Sequence, residues 1–228
     1  MMRQLTLFDD LLLPLKCNPD EARECLRRLK AEAHGLIIGT DEAGRGALAG
    51  PVSAAAVYLT EAQEERLLAM KLRDSKMISP KRREDIFNVM NSIGVRWRVA
   101  WGTPSMIDEK NILRASLLTM AKCVNELAGT LNDAPACLIA DGNKPIPDIK
   151  IRQWTLIRAD KMIPVVSAAS IVAKVLRDRL MTNLAKRYPG YDFERNKGYP
   201  TAAHIGAVRD RGMIDIHRRS FCRKILER

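Results

Sequence analysis

From residue 35 onward the chain alternates short apolar runs with longer segments whose apolar positions recur at helical spacing. Residues 36–41 read as a buried strand, and 52–59 as a second after a Gly/Pro turn. Residues 80–93 carry a helical pattern, and 95–101 alternate like a third strand. A single long helix is predicted over 104–127, with Ile107, Leu117, Leu118, Ala121 and Val124 along its apolar side. Residues 136–140 predict a fourth strand running straight into Asp141-Gly142, and 153–157 a fifth. Residues 165–188 predict a long helix, rich in small residues early and charged residues late. Upstream, Asn18 can cap a helix, with Pro19 in its first turn and Asp20-Glu21 complementing its dipole. Ala22, Cys25, Leu26, Leu29 and Ala33 mark its apolar stripe, and Gly35 ends it.

Three strands with little helix between them, followed by alternating helix and strand, predict an α/β layer fold on a mixed sheet. The expected division is an N-terminal tail and helix over 1–34, a main domain over 35–190, and a basic helical segment over 191–228. No internal repeat interrupts this order.

Composition narrows the class. The chain has 228 residues, 46% hydrophobic and 29% charged, which suits a folded chain with a sizeable core. No apolar run reaches the roughly 18 to 20 residues needed to span a bilayer. Asp9 and Asp10 interrupt what would be the apolar part of a signal peptide. A cytoplasmic monomer with no membrane contact is expected. The five cysteines are odd in number and scattered, with no CxxC pair, so neither a disulfide framework nor a thiolate zinc site is indicated.

The charge is unevenly placed. Residues 1–149 are neutral, with 20 basic and 20 acidic side chains, whereas 150–228 carry 18 basic and 7 acidic and supply the whole net +11. A basic segment of this kind draws in polyanions and releases their counterions, which points to nucleic acid. A merely soluble basic surface is the competing reading.

Candidate chemistry centres on acids. Asp41 and Glu42 close the first strand just before Gly44 and Gly46. Asp141 closes another strand and precedes a glycine, and Asp160 follows a third apolar run. Acidic positions at strand ends are what a cleft over a sheet edge would produce. Acids held close repel unless cations bind between them. The absence of a thiolate or histidine cluster favours the hard ions Mg²⁺ or Mn²⁺ over zinc. Such ions would activate water and stabilise the leaving oxygen of a phosphodiester. Acids near strand ends are more often turn residues or caps, and only the set of four argues otherwise. The Gly44-Arg45-Gly46-Ala47-Leu48-Ala49-Gly50 stretch echoes a dinucleotide-binding loop, but Pro51 and a strand follow it where that motif should open a helix.

The run Gly39-Thr40-Asp41-Glu42-Ala43-Gly44-Arg45-Gly46-Ala47-Leu48-Ala49-Gly50-Pro51-Val52 closely resembles the opening signature of ribonuclease HII. The resemblance continues through Asp74-Ser75-Lys76, Ile107-Asp108-Glu109-Lys110-Asn111-Ile112-Leu113, Asp141-Gly142-Asn143 and Ala168-Ala169-Ser170-Ile171-Val172-Ala173-Lys174. It closes with Lys197-Gly198-Tyr199-Pro200-Thr201 and His217-Arg218-Arg219-Ser220-Phe221. It implies an RNase H-like mixed five-stranded sheet flanked by helices, with a basic helical C-terminal extension. It implies cleavage of RNA in RNA–DNA hybrids and incision at ribonucleotides embedded in duplex DNA, the chemistry of ribonucleotide excision repair, leaving 3′-hydroxyl and 5′-phosphate ends. Asp41, Glu42, Asp141 and Asp160 match the family's metal-site acids. Gly44-Arg45-Gly46 matches the loop that senses the ribose 2′-hydroxyl, and Tyr199 the tyrosine that packs on the sugar. Ser75, Lys76, Asn111, Ser170 and Lys174 fall at positions of substrate contact. Ala47 departs from a common proline, and Asn196 from a frequent histidine, which puts local substrate contacts in doubt.

Other residues have two readings. Lys174 could reach a phosphate, or pair with Asp178 one helical turn away. His204 and His217 could be acid–base groups but are left out of catalysis, because metal-bound water needs no histidine; their neighbours Arg218 and Arg219 suggest phosphate contact or packing. Trp97, Trp101 and Trp154 sit on predicted strands and are expected in the core. Gln4-Leu5-Thr6-Leu7-Phe8 is similar to the peptide by which bacterial proteins dock on the replication sliding clamp; the alternative is a hydrophobic tail folded onto the domain. Two rival functions stand beside the nuclease: a non-catalytic nucleic-acid-binding module, and a nuclease or integrase of the same fold acting on DNA alone.

Overall fold

A computed structural model describes residues 26–27, 36–70, 72 and 78–227. The N-terminal tail, all of its helix but Leu26 and Arg27, Ser75 and Lys76 lie outside the described residues. The sheet has five strands: β1 (Leu36–Ala43), β2 (Val52–Tyr58), β3 (Arg96–Gly102), β4 (Pro135–Asp141) and β5 (Gln153–Leu156). Their spatial order is β3-β2-β1-β4-β5. β1 pairs antiparallel with β2, and β2 with β3, while β4 runs parallel to both β1 and β5. This is the mixed sheet that the sequence predicts.

The pleat sorts the strand residues into two cores. On one face Ile37, Ala55, Val57, Cys137, Ile139, Trp154 and Leu156 pack with Val165, Val166, Ala169, Val172 and Ala173. On the other, Ile38, Ala54, Ala56, Leu138 and Ala140 meet Met120, Cys123, Val124 and Leu127. Period-two alternation in strands buried on both sides accounts for the near-continuous apolar runs. The first face is covered by α6 (Pro164–Arg187) and the second by α4 (Ile112–Ala128). Small residues early in α6 let it sit close to the sheet. A side chain at Gly39 would come within 2.6 Å of the Val165 backbone.

Four expectations change. The helix expected over 80–93 is α2 (Pro80–Ser92), but a second helix that the sequence does not predict, α1 (Glu61–Ala69), precedes it between β2 and β3. α1 buries only Leu67, so it shows little apolar periodicity; its signal is the capping box made by Thr60 and Gln63. The long helix over 104–127 is two, α3 (Pro104–Lys110) and α4, because Asn111 takes φ 64° between them. β1 runs two residues past Asp41, with Glu42 and Ala43 still paired to β2. Trp154 is buried, but Trp97 is half-buried, and Trp101, on β3 at the sheet's edge, is 38% exposed.

Two short helices, α5 (Ala159–Met162) and α7 (Phe193–Asn196), flank α6; α8 (Ala202–Arg211) and α9 (Arg219–Leu226) complete the chain. The C-terminal elements bury Tyr191, Phe193 and Val208 against Ala49 and Met181. Asp108 of α3 ties down α9 by accepting from the Arg219 and Ser220 amides at 2.9 Å each. Burial works against the Asp108 carboxylate, but these bonds and the Ser220 hydroxyl outweigh it and hold its pKa below the usual range. Among the described residues no disulfide forms, and Cys123, Cys137 and Cys222 are buried. No described helix is long and apolar enough to cross a membrane.

Candidate active site

The last parallel pair between β1 and β4 is Thr40 with Ala140, so Asp41 and Asp141 follow as neighbours at the same level of the sheet. Alternation puts both on the side of Ile37, Gly39, Cys137 and Ile139, the face covered by α6. Thr40 anchors this end of β1 by donating from its hydroxyl to Ala55 O at 2.8 Å. Asp41 is 1% exposed, and its Oδ1 accepts from the Glu42 amide at 2.7 Å. After Asp141, Gly142 turns the chain at φ 122°, a conformation suited to glycine. Its amide donates to Leu156 O at 3.1 Å. Asp160 lies on α5, which leads into α6, and is also 1% exposed.

Glu42 opens onto a cleft of about 400 Å³ lined by Ala43, Gly44, Arg45, Gly46, Arg83, Ser170, Lys174 and Tyr199. The glycine loop, the α6 residues and the tyrosine from the far end of the chain therefore meet beside a sheet-end carboxylate. Arg45 Nη1 donates to Glu42 Oε1 at 3.1 Å. Lys174 Nζ stands 2.8 Å from Asp178 Oδ1 and 5.0 Å from the centre of the Tyr199 ring, so it bridges an ion pair and an aromatic face. A second cleft of about 830 Å³ shares Arg83, Lys174 and Tyr199 and continues past Arg179, Arg195 and Lys197. Asn111 is elsewhere: it caps α4 by accepting from the Arg114 amide at 3.1 Å and does not line the cleft.

Glycine is required where the loop crosses α6. Gly44 has φ 94°, and a Cβ there would fall 2.0 Å from Arg177 Nε. Arg177 is fully buried and donates to the carbonyls of Pro51, Lys197 and Ala49 at 2.9, 2.9 and 3.1 Å. Its guanidinium carbon lies 5.3 Å from the Tyr199 ring centre. Desolvation lowers its pKa. Arg83 and Arg177 carry no periodicity or motif of their own, and the sequence singles out neither as a site residue; Arg218 falls in the His217–Phe221 motif, but nothing in the sequence shows that it is buried.

Tyr199 is held from behind. His217 Nδ1 accepts from the Ile214 amide at 3.0 Å, which leaves its Nε2 to donate to His204 Nε2, 3.1 Å away. His204 Nδ1 then donates to Tyr199 O at 2.9 Å. Both rings are buried, and burial is the main reason their pKa values fall, that of His217 to about 4. They are neutral struts. Asn196 donates to Tyr191 O and accepts from the Gly198 amide, each at 2.7 Å, so its amide fits the turn before Tyr199. Ala47, within the loop, is buried.

A model of the family described as Ribonuclease HII matches residues 38–224. The chain belongs to the ribonuclease HII family. It is therefore a nuclease of the hydrolase class, cutting within strands. A ribonuclease HII from Acaryochloris marina is 44% identical over 83% of this chain and 94% of its own length. The solved ribonuclease H2 from Pyrococcus horikoshii OT3 superposes with a TM-score of 0.66 at 28% identity, covering 84% of this chain and 97% of that one. The RNase HII of Archaeoglobus fulgidus, solved as a PCNA complex, has a TM-score of 0.66 at 26% identity over 81% and 93% of the two chains.

All four acids are carboxylates, donors that suit a hard divalent cation; of the four, Glu42 alone lines the cleft, where no thiolate or imidazole stands. Among the described residues no group of three or more His, Cys, Asp or Glu side chains is placed so that it could hold a metal ion, so the structure does not itself gather the four acids into a metal site.

Proposed function

We propose that the protein hydrolyses the RNA strand of RNA–DNA hybrids and incises at ribonucleotides embedded in duplex DNA, leaving 3′-hydroxyl and 5′-phosphate ends. The observation that carries this reading is the single cleft in which Glu42, the Gly44-Arg45-Gly46 loop, Lys174 and Tyr199 face one another. A nuclease indifferent to the sugar needs a carboxylate site and cations. It does not need a glycine-relieved backbone and an aromatic ring placed beside them, which are means of testing a ribose at close range.

Asp41, Glu42, Asp141 and Asp160 would hold the cations. Two divalent ions, Mg²⁺ or Mn²⁺, would supply Lewis acidity toward the phosphodiester and its attacking water. The chain's own part is positioning. Loop amides approach the sugar, the Tyr199 ring packs on it, and Lys174 and Ser170 meet the phosphate. The basic C-terminal third attracts the duplex. Ser75, Lys76 and Asn111 belong to the same proposal as outer contacts. A sliding clamp bound through residues 4–8 completes it, supported by the PCNA complex of the Archaeoglobus fulgidus relative.

A labelled RNA–DNA hybrid incubated with Mg²⁺ or Mn²⁺ tests the reading. Cleavage by the protein, lost in Asp41→Asn and on chelation, supports it. A hybrid left intact under both metals would sink it.

A further inference from the structure

The loop from Gly44 to Pro51 has an unusual underside. Arg218, fully buried, donates from Nη1 to Arg45 O at 2.8 Å and from Nε to Gly50 O at 3.0 Å, while its amide donates to Leu48 O at 2.8 Å. Arg177 takes the carbonyls of Ala49 and Pro51. Five loop carbonyls are thus turned inward, four of them onto two guanidiniums. The two cations are close enough to disfavour each other. Burial and then Arg177 bring the Arg218 pKa down to about 9. Burying two like charges is costly unless hydrogen bonds and function compensate.

The consequence lies on the opposite side of the loop. A trans peptide points its C=O and N–H in opposite directions. Since the Arg45 carbonyl is drawn down onto Arg218, the Gly46 N–H of the same peptide is driven outward. Gly46 is exposed, lines the cleft, and has no atom within 4 Å of where a Cβ would stand. We propose that Arg218 is a positioning residue for ribose selection: by bridging Arg45 O and Gly50 O, it aims the Gly46 amide into the cleft as a donor for the sugar. This rests on the ribonucleotide-directed reading above and assigns the geometry of its loop to one buried side chain. Neighbouring Arg219 is exposed, with only its amide engaged by Asp108, so the adjacent arginines separate into an internal clamp and a surface charge.

The test compares Arg218→Lys with Arg219→Lys. Affinities are measured by fluorescence anisotropy for two duplexes that differ in one 2′-hydroxyl, and KM and kcat on the ribonucleotide duplex. Lysine keeps the charge but cannot bridge two carbonyls. Arg218→Lys should lose at least fivefold of the preference for the ribonucleotide duplex and raise KM more than it lowers kcat, with all-DNA affinity held within twofold. Arg219→Lys should keep the preference. Preference retained in Arg218→Lys, or both affinities falling together as in general misfolding, would overturn the proposal. Independently of any variant, the Gly46 amide resonance of the ¹⁵N-labelled protein should move with the ribonucleotide duplex and not with the DNA duplex; no difference between them would also overturn it. A wild-type protein that cuts neither hybrid nor ribonucleotide duplex refutes the function itself, an outcome distinct from these.

Discussion

Arg45 joins the rim of the cleft to its floor: its Nη1 donates to Glu42 Oε1 at 3.1 Å while its own carbonyl is fixed by Arg218. The arginine side chain is 49% exposed and the glutamate 11%. Such a pair contributes little to stability, because water screens its outer partner. Its place in the loop proposed to read the sugar gives it another use.

Arg45→Ala should therefore leave the fold nearly untouched, with a loss under about 1 kcal/mol and a melting shift within about 3 °C. KM for a hybrid should rise severalfold. A large melting shift with unchanged KM would assign Arg45 to structure.

Lys174 can be assigned by salt. If it contacts a phosphate, Lys174→Ala should reduce the slope of log affinity against log salt by about one. If its ion pair with Asp178, at 2.8 Å, is its whole function, the slope will stay as it is. Binding isotherms across a range of potassium chloride concentrations decide between the two readings that the sequence leaves open.

Glycines 44 and 46 should part company. Gly44→Ala puts a Cβ 2.0 Å from Arg177 Nε at φ 94°, and should cost about 2 kcal/mol or more. Gly46→Ala meets nothing within 4 Å, so its melting temperature should stay close to wild type while substrate affinity falls. Thermal unfolding of both variants, beside hybrid cleavage, checks the contrast.

The imidazole pair predicts a pH dependence of stability. The ordinary His217 pKa of 6.5 falls to about 4, chiefly through burial and then through His204. Above pH 6.5 folded and unfolded chains are both neutral at this site. As pH falls through 6.5 the unfolded chain takes up a proton that the folded chain refuses, so stability declines until His217 itself titrates near 4. The loss between pH 7 and 5 should be about 2 kcal/mol in urea unfolding. His217→Phe should flatten this dependence.

The strands and α6 were legible because their residues are buried on both faces or at helical spacing, and Asp41 and Asp141 because they terminate such runs. α1 was not, since only Leu67 of its residues is buried and its cap alone speaks for it. The break at Asn111 depends on one left-handed residue inside an otherwise continuous helical pattern. The supports of the cleft were hidden for a different reason. Arg177 reaches Pro51 across 126 positions and Arg218 reaches Arg45 across 173, and a buried arginine looks like a surface one until the fold closes over it. Ser75, Lys76 and residues 4–8 lie outside the described residues, so their proposed roles rest on resemblance.

The central claim, that the cleft joins a carboxylate site to a test for one 2′-hydroxyl, is met most directly by two end-labelled duplexes identical except for that hydroxyl. With Mg²⁺ or Mn²⁺ present, the protein should cut the ribonucleotide duplex on the 5′ side of the ribonucleotide, leave the all-DNA duplex intact, and lose at least about a hundredfold in rate in Asp41→Asn. Equal cutting of both duplexes, or full activity in Asp41→Asn, would contradict it.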